Sequence, residues 1–87
     1  MLRDGRLNNM TSFINLVAKT IDVDPSEVVD DLNIDNCDTW TSLTHVALLS
    51  ALESAYGVQF DIEESIEMDS IASIKDVLHN KGVSLDA

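Results

Sequence analysis

The chain has 87 residues, which predicts one small domain over residues 1–87, with loose termini at 1–9 and 83–87. Its 16 acidic and five basic residues give a formal net charge of −11, which argues against partners with dense negative charge, namely nucleic acids and anionic membranes. A hydrophobic content of 45% excludes a chain kept disordered by charge. The single cysteine excludes an internal disulfide and is typical of a reducing cytoplasm, and no apolar run approaches the ~20 residues of a membrane span.

The first predicted helix covers residues 11–21. Its apolar residues recur at helical spacing and include Phe13, Ile14, Val17 and Ile21, with Met10 and Ala18 beside them. Asn9 or Thr11 is the expected N-cap, because their short polar side chains can accept a hydrogen bond from the first turn. This helix is expected to serve the core.

A long connection, residues 22–41, follows the first helix. Pro25 stops helix propagation because it lacks an N–H and constrains the residue before it. A short helical turn is expected over 26–31, with Ser26 as its cap. Four aliphatic residues are expected to pin the connection to the core: Val28, Val29, Leu32 and Ile34.

The same connection contains a pattern that resembles the start of a calcium-binding EF-hand loop, Asp31-x-Asn33-x-Asp35. The pattern then fails, because Asn36 stands where the turn requires Gly and Ser42 stands where a bidentate Glu is required. The segment therefore predicts a solvated acidic loop and no dedicated metal site. The alternative is weak binding of divalent ions, through charge alone, by Asp30, Asp31, Asp35 and Asp38.

The second helix is predicted to begin at Thr41 or Ser42 and to end at Gly57. Its inner stripe is formed by Leu48, Leu49, Leu52 and Tyr56. By helical phase, His45 leans toward this stripe, and Trp40 is expected to bury its ring against the helix. Neither residue has the partners that catalysis needs, so no enzyme activity is expected.

Two further helices complete the prediction. Asp61 and Glu64 have the spacing of a capping box before a short helix over 62–68, which is expected to turn Ile62, Ile66 and Met68 inward. A last helix over 73–80, capped by Ser73 with Asp76, is expected to bury Ile74, Val77 and Leu78. The predicted fold class is all-α, a small four-helix bundle with three longer helices, one short third helix and a long first loop.

The stretch from Trp40 to Val58, WTSLTHVALLSALESAYGV, resembles the second helix of acyl carrier proteins, in which the Ser of a D-S-L motif receives 4′-phosphopantetheine. Ser42 and Leu43 match the S-L of that motif, and Trp40 resembles a W-D-S-L variant. The likeness in layout extends over residues 13–81. Thr41 stands where the family has Asp, a residue that helps the modifying transferase to recognise its substrate.

The resemblance implies a covalent 4′-phosphopantetheine on Ser42, which carries acyl or aminoacyl groups as thioesters in a specialised biosynthetic pathway. The implied partners are a phosphopantetheinyl transferase and acyl- or aminoacyl-transferring enzymes with basic or apolar docking patches. The recognition residues would be Thr41, Leu43, Val46, Ala47 and Glu53. An acyl pocket would be lined by Leu48, Leu49, Leu52, Ile66 and Ile71.

The residues leave two readings of Ser42 open. It is either the attachment site or a plain N-cap of the helix. If it is only a cap, the chain is an unmodified helical adaptor for protein–protein interaction, a reading that the loss of Asp at position 41 favours. A monomer is expected in both cases.

Overall fold

The computed structural model of the protein describes residues 9–85, with side chains from Met10 onward. This part of the chain forms four α-helices, α1 (Asn9–Ile21), α2 (Ser42–Tyr56), α3 (Ile62–Glu67) and α4 (Ile71–Asn80), and no β-strand, so the predicted all-α fold is confirmed. A 3-10 turn, Pro25–Glu27, lies in the long first connection. None of the helices between residues 9 and 85 is long and apolar enough to cross a membrane.

The core is built from the inner faces of α1, α2 and α4 and from residues that the loops contribute. Every buried side chain among the described residues is apolar. Ten of them are essentially inaccessible to water: Phe13, Val17, Ile21, Trp40, Leu48, Leu52, Met68, Ile71, Ile74 and Leu78. The helical stripes predicted for these three helices are therefore confirmed, and their burial is the main stabilising term of the fold.

Helix α1 begins at Asn9, two residues before the predicted start at residue 11. Thr11 therefore lies in the first turn of the helix. Thr20 near the end of the helix donates its hydroxyl to the Leu16 carbonyl at 2.7 Å, a bond that satisfies the side chain locally. The helix serves the core, as predicted.

The 3-10 turn in the first connection is capped by Asp24 and not, as predicted, by Ser26. The Asp24 carboxylate accepts hydrogen bonds from the backbone N–H and the hydroxyl of Ser26, and these bonds hold the pKa of Asp24 below its usual value. The cap moves forward because Pro25 is well suited to the first position of a helical turn, where no N–H is needed. Val28 is buried as predicted, whereas Val29 is 53% exposed and does not pin the loop.

The second half of this connection pairs with the start of α4. The backbone N–H of Ile34 donates to the Asp69 carbonyl at 3.0 Å, and the N–H of Ile71 donates to the Leu32 carbonyl at 2.9 Å. An ion pair between Lys75 Nζ and Asp30 Oδ1 at 2.6 Å supports the same contact. The long loop is thereby fixed by hydrogen bonds as well as by buried aliphatic side chains.

This pairing also decides where α4 begins. The helix starts at Ile71 with Ser70 as N-cap, and the capping box is formed by Ser70 and Ser73, so the predicted box of Ser73 with Asp76 is wrong. Ser70 is also the residue that forms an isolated β-bridge with Asn33. An extended Ser70 can serve both purposes, because an N-cap residue keeps β-region dihedrals.

Helix α3 has the predicted capping box of Asp61 and Glu64. The helix is rotated about its axis, however, so that the side predicted to face the core faces solvent. Ile62 and Ile66 were predicted to point inward, and they are 77% and 70% exposed. The inner side instead carries Glu64, which pairs with Lys81 at 2.9 Å, and Ser65. The nearby Lys81 ammonium, together with the Asp61 N–H, holds the pKa of Glu64 below its usual value.

The chain after α4 returns to the core. Gly82 adopts a left-handed conformation, φ 88°, that turns the backbone after the helix. Val83 then packs against the core and Leu85 is buried, although both belong to the tail that the sequence predicted to be loose. The rest of the predicted loose termini, residues 1–8 and 86–87, lies outside the described residues.

Candidate functional site

The site is the start of α2, where Thr41 and not Ser42 caps the helix. The Thr41 side chain accepts a hydrogen bond from the Thr44 backbone N–H, and the Thr44 hydroxyl accepts one from the Thr41 N–H at 2.7 Å. These reciprocal bonds satisfy two N–H groups that the helix geometry leaves unpaired. The plain N-cap reading of Ser42 is therefore wrong.

Thr44 also holds the segment that leads to the helix. Its hydroxyl donates to the Thr39 carbonyl at 2.7 Å, and the Trp40 N–H donates to the Cys37 carbonyl at 3.0 Å. Residues 37–41 are thus bound to α2 and to each other. The backbone next to Ser42 is held in one conformation by its own threonines.

Ser42 itself is the first residue of α2 and its side chain is exposed. Its hydroxyl makes no hydrogen bond to any residue between 9 and 85. The neighbouring hydroxyls of Thr41 and Thr44 are both engaged. Ser42 therefore offers an accessible hydroxyl at the positive end of a four-turn helix, where a negatively charged group is stabilised.

A side-chain bridge connects the segment before Ser42 to α3. Trp40 Nε1 donates to His45 Nδ1 at 3.0 Å, and His45 Nε2 lies 3.0 Å from the Ser65 carbonyl oxygen. The indole can only donate and the carbonyl can only accept, so the imidazole is neutral and carries its proton on Nε2. The predicted structural role of His45 and the burial of Trp40, which is 2% exposed, are both confirmed.

Beside the site lies a set of exposed aliphatic side chains, which we call the apolar face. It consists of Leu43 and Val46 on α2, 83% and 63% exposed, together with Ile62 and Ile66 on α3. Val46 follows His45 in sequence and Ile66 follows Ser65, so each half of the face has one residue next to the bridge in sequence. Large aliphatic residues grouped on two neighbouring helices indicate an interaction surface.

Sequence reasoning found only the α2 half of this face. The α3 half was assigned to the core, although the spacing of Ile62 and Ile66 did place them on one side of a helix. The acidic residues Glu63 and Glu67 are exposed beside them. That shared exposure of acids and aliphatics is typical of an outward face with a charged rim.

The other recognition residues predicted from the sequence differ in whether their side chains are available to a partner. Ala47 is exposed on α2, as expected for a contact residue. Glu53 is half-buried, and its carboxylate accepts the Phe60 backbone N–H at 2.9 Å. This bond holds the loop after α2, so one oxygen of the only acid on α2 is already occupied.

The proposed pocket residues do not all come together. Leu48, Leu52 and Ile71 are fully buried and Leu49 packs partly buried against them, whereas Ile66 is exposed on α3. Two depressions on the described surface, one beside Gly57 and one along the first connection, are lined by other residues. The four interior residues are therefore packed against one another.

The acidic connection does not converge on a metal site. Asn33 Oδ1 accepts the N–H groups of Asp35 and Asn36, and the Asn36 amide donates to the Asp31 carbonyl, so the turn is closed by its own side chains. Among residues 9–85, no three His, Cys, Asp or Glu side chains are placed to hold a metal ion.

Comparison with known proteins identifies a relative of most of this chain. No family model matches the chain. A curated relative named acyl carrier protein, from Thermosynechococcus vestitus, is 33% identical over 72 residues, which covers 76% of this chain and 82% of the relative. Identity at this level over most of both chains shows that the protein belongs to the acyl carrier protein family, whose members are carriers and not enzymes.

Proposed function

We propose that Ser42 is the attachment point of 4′-phosphopantetheine, and that the protein carries acyl or aminoacyl groups in a specialised biosynthetic pathway. One observation supports the attachment above all others. Ser42 is exposed and unbonded, whereas Thr41 has taken over the capping of α2. A serine kept only to stabilise the helix start would be expected to make the capping bond itself.

The residues around Ser42 fit a phosphodiester. The N–H groups of the first helical turn and the helix dipole favour a negative group on the Ser42 oxygen, and no carboxylate occupies positions 39–44 to oppose it. The bound arm supplies a thiol that holds the cargo as a thioester. The protein then has to hold the arm at a fixed helix end and to present a surface to its enzymes.

The outer side of α2 supports a specialised role. It offers Leu43, Val46 and Ala47, and its one acid, Glu53, is engaged with Phe60. The resemblance implies that carriers of fatty-acid synthesis have acidic residues at the positions that Thr44, Ala47 and Ser54 occupy here. We therefore infer enzymes that contact this carrier mainly through apolar patches, while basic groups at their rims respond to its net charge of −11.

The remaining parts of the proposal concern the state of the protein and its cargo. We propose a cytoplasmic monomer that has neither nucleic acid nor membrane as a partner. Leu48, Leu49, Leu52 and Ile71 are the interior residues that an acyl chain would contact if it enters the bundle. Ile66 contributes to the apolar face instead, because it is exposed.

The proposed attachment is tested by the intact mass of the folded protein after incubation with coenzyme A and a broad-specificity phosphopantetheinyl transferase. The Ser42 oxygen would displace adenosine 3′,5′-bisphosphate from coenzyme A and lose its proton to the transferase. A mass gain of one phosphopantetheine is expected. If a standard carrier is loaded in parallel and this protein gains no mass, the unmodified adaptor becomes the better reading.

Position 41 provides a second test. In Thr41→Asp the carboxylate can still accept the Thr44 N–H, so the helix cap is kept, and the D-S-L motif of the family is restored. We expect faster loading of Ser42 and a free energy of unfolding within about 0.5 kcal/mol of the original. Thr41→Val is the matched variant, and loss of its cap should cost about 1 kcal/mol. Equal loading rates for Asp and Thr would show that the transferase does not read this position.

The apolar face makes a further prediction about enzymes. Leu43→Ala should lower kcat/KM for loading about tenfold, the effect of losing ~1.4 kcal/mol of apolar contact in the transferase complex. Its thermal midpoint should not change, because the side chain is 83% exposed. Val29→Ala removes an exposed aliphatic residue from the first connection and should leave loading unaltered. An equal loss in both variants would contradict a docking role for this face.

A further inference from the structure

We propose that Trp40 and His45 form a closed gate between α2 and α3, so that an aliphatic cargo on Ser42 cannot reach the interior of the bundle until their bridge opens. This inference rests on the proposed attachment at Ser42. It concerns which cargo the carrier shelters, because a chain that stays outside contacts water and enzyme surfaces, and a chain that enters is protected.

The position of the bridge supports the gate. His45 follows Ser42 by three residues, about one helical turn or ~4.5 Å along α2, so its side chain stands directly below the attachment site on the inner side. From there it reaches α3, where Nε2 contacts the Ser65 carbonyl at 3.0 Å. A chain running from Ser42 along the inner side of α2 meets this ring first.

Trp40 closes the gate from the other side. Its indole is 2% exposed and donates to His45 Nδ1, so both ring nitrogens of the histidine are held. Opening requires two hydrogen bonds of a half-buried side chain to break, and the Trp40 N–H then loses its partner inside the protein. An unpaired buried donor is costly, so the closed arrangement is favoured.

The interior behind the gate is already filled. Leu48, Leu52 and Ile71 are 0% exposed, and the depressions beside Gly57 and along the first connection are lined by other residues. An acyl chain would have to displace packed side chains as well as the bridge, and interiors packed at this density resist insertion. The bridge is therefore the first barrier between Ser42 and the interior, and the packed side chains behind it are the second.

The first measurement uses protein that carries the loaded arm. Wild type, His45→Ala and His45→Gln are each loaded with an octanoyl and with an acetyl arm, and their thermal midpoints are compared. In His45→Ala the octanoyl form should melt about 4 °C or more above the acetyl form, because methylenes become buried. In wild type the two forms should melt together. The glutamine amide can accept from Trp40 and donate to Ser65, so His45→Gln should behave as wild type.

The second measurement uses protein without the arm. Trp40 is the single tryptophan of the chain, so acrylamide quenching of its fluorescence reports how accessible the indole behind His45 is. The quenching constant should rise severalfold in His45→Ala and stay unchanged in His45→Gln. His79→Ala, which removes the exposed histidine of α4, is the matched control. If His45→Ala does not fold, Trp40→Phe, which lacks the N–H donor, replaces it in the thermal comparison.

The outcomes separate the gate from the attachment. The gate is overturned if wild type already shows the octanoyl shift, or if wild type and His45→Ala give the same shift or the same quenching constant. If wild type gains no arm while a standard carrier does, the proposed function fails. The quenching constants alone then decide whether His45 shields the Trp40 indole from solvent.

Discussion

Ser42→Ala is expected to abolish loading by the phosphopantetheinyl transferase completely. The methyl side chain has no oxygen to form the phosphodiester, and no neighbouring hydroxyl can replace it, since those of Thr41 and Thr44 hold the helix cap. Intact mass should show no gain even after long incubation. The fold should not change, because the Ser42 side chain is exposed and bonds to no described residue.

The matched control for this variant is Ser50→Ala, which removes another exposed hydroxyl two turns further along α2. It should load like the original protein. Loading that survives in Ser42→Ala, or that is lost in Ser50→Ala as well, would contradict attachment at the start of α2.

The second large effect is on stability. Leu48→Ala should lower the free energy of unfolding by about 2–5 kcal/mol, because the side chain is fully buried and its removal leaves a cavity between the helices. That is a large fraction of the ~5–15 kcal/mol available to a small domain. Urea unfolding followed by far-UV circular dichroism measures the change.

Val46→Ala on the same helix is the control for Leu48→Ala. Val46 is 63% exposed, so its truncation should change the free energy of unfolding by no more than about 0.5 kcal/mol. Similar losses in the two variants would mean that α2 does not present the inner and outer sides described here. A loss only in Leu48→Ala would confirm that Leu48 lies on the inner side of α2 and Val46 on its outer side.

The elements with strong periodicity could be predicted from sequence. The stripe of Leu48, Leu52 and Tyr56 repeats over about two turns of α2, so one rotation of the helix buries it, and the burial of Leu48 and Leu52 found in the structure is the predicted one. Gly57 as the end of α2 was also predictable, since it adopts the left-handed conformation that glycine tolerates best.

The rotation of α3 could not be predicted in the same way. A helix of six residues has fewer than two turns, so two isoleucines four apart define a face but not its direction. The direction depends on partners distant in sequence, Lys81 for Glu64 and His45 for the Ser65 carbonyl. Local spacing contains no information about such contacts.

The candidate site was only partly predictable for a related reason. The resemblance pointed to Ser42, but two adjacent hydroxyl residues, Thr41 and Ser42, could each have capped α2. The choice depends on Thr44, whose hydroxyl bonds both the Thr41 N–H and the Thr39 carbonyl. The bridge from Trp40 through His45 to α3 also required the tertiary structure, although the burial of Trp40 did not.

The pairing of the first connection with α4 has a consequence for the order of events during synthesis. Leu32 and Ile34 bond to Ile71 and Asp69, which leave the ribosome more than thirty residues later. The segment that leads to Ser42 therefore lacks these backbone partners until residues 69–71 have been made. A chain truncated before residue 69 would keep the threonine bonds at the start of α2 but would lack this support for the connection that precedes it.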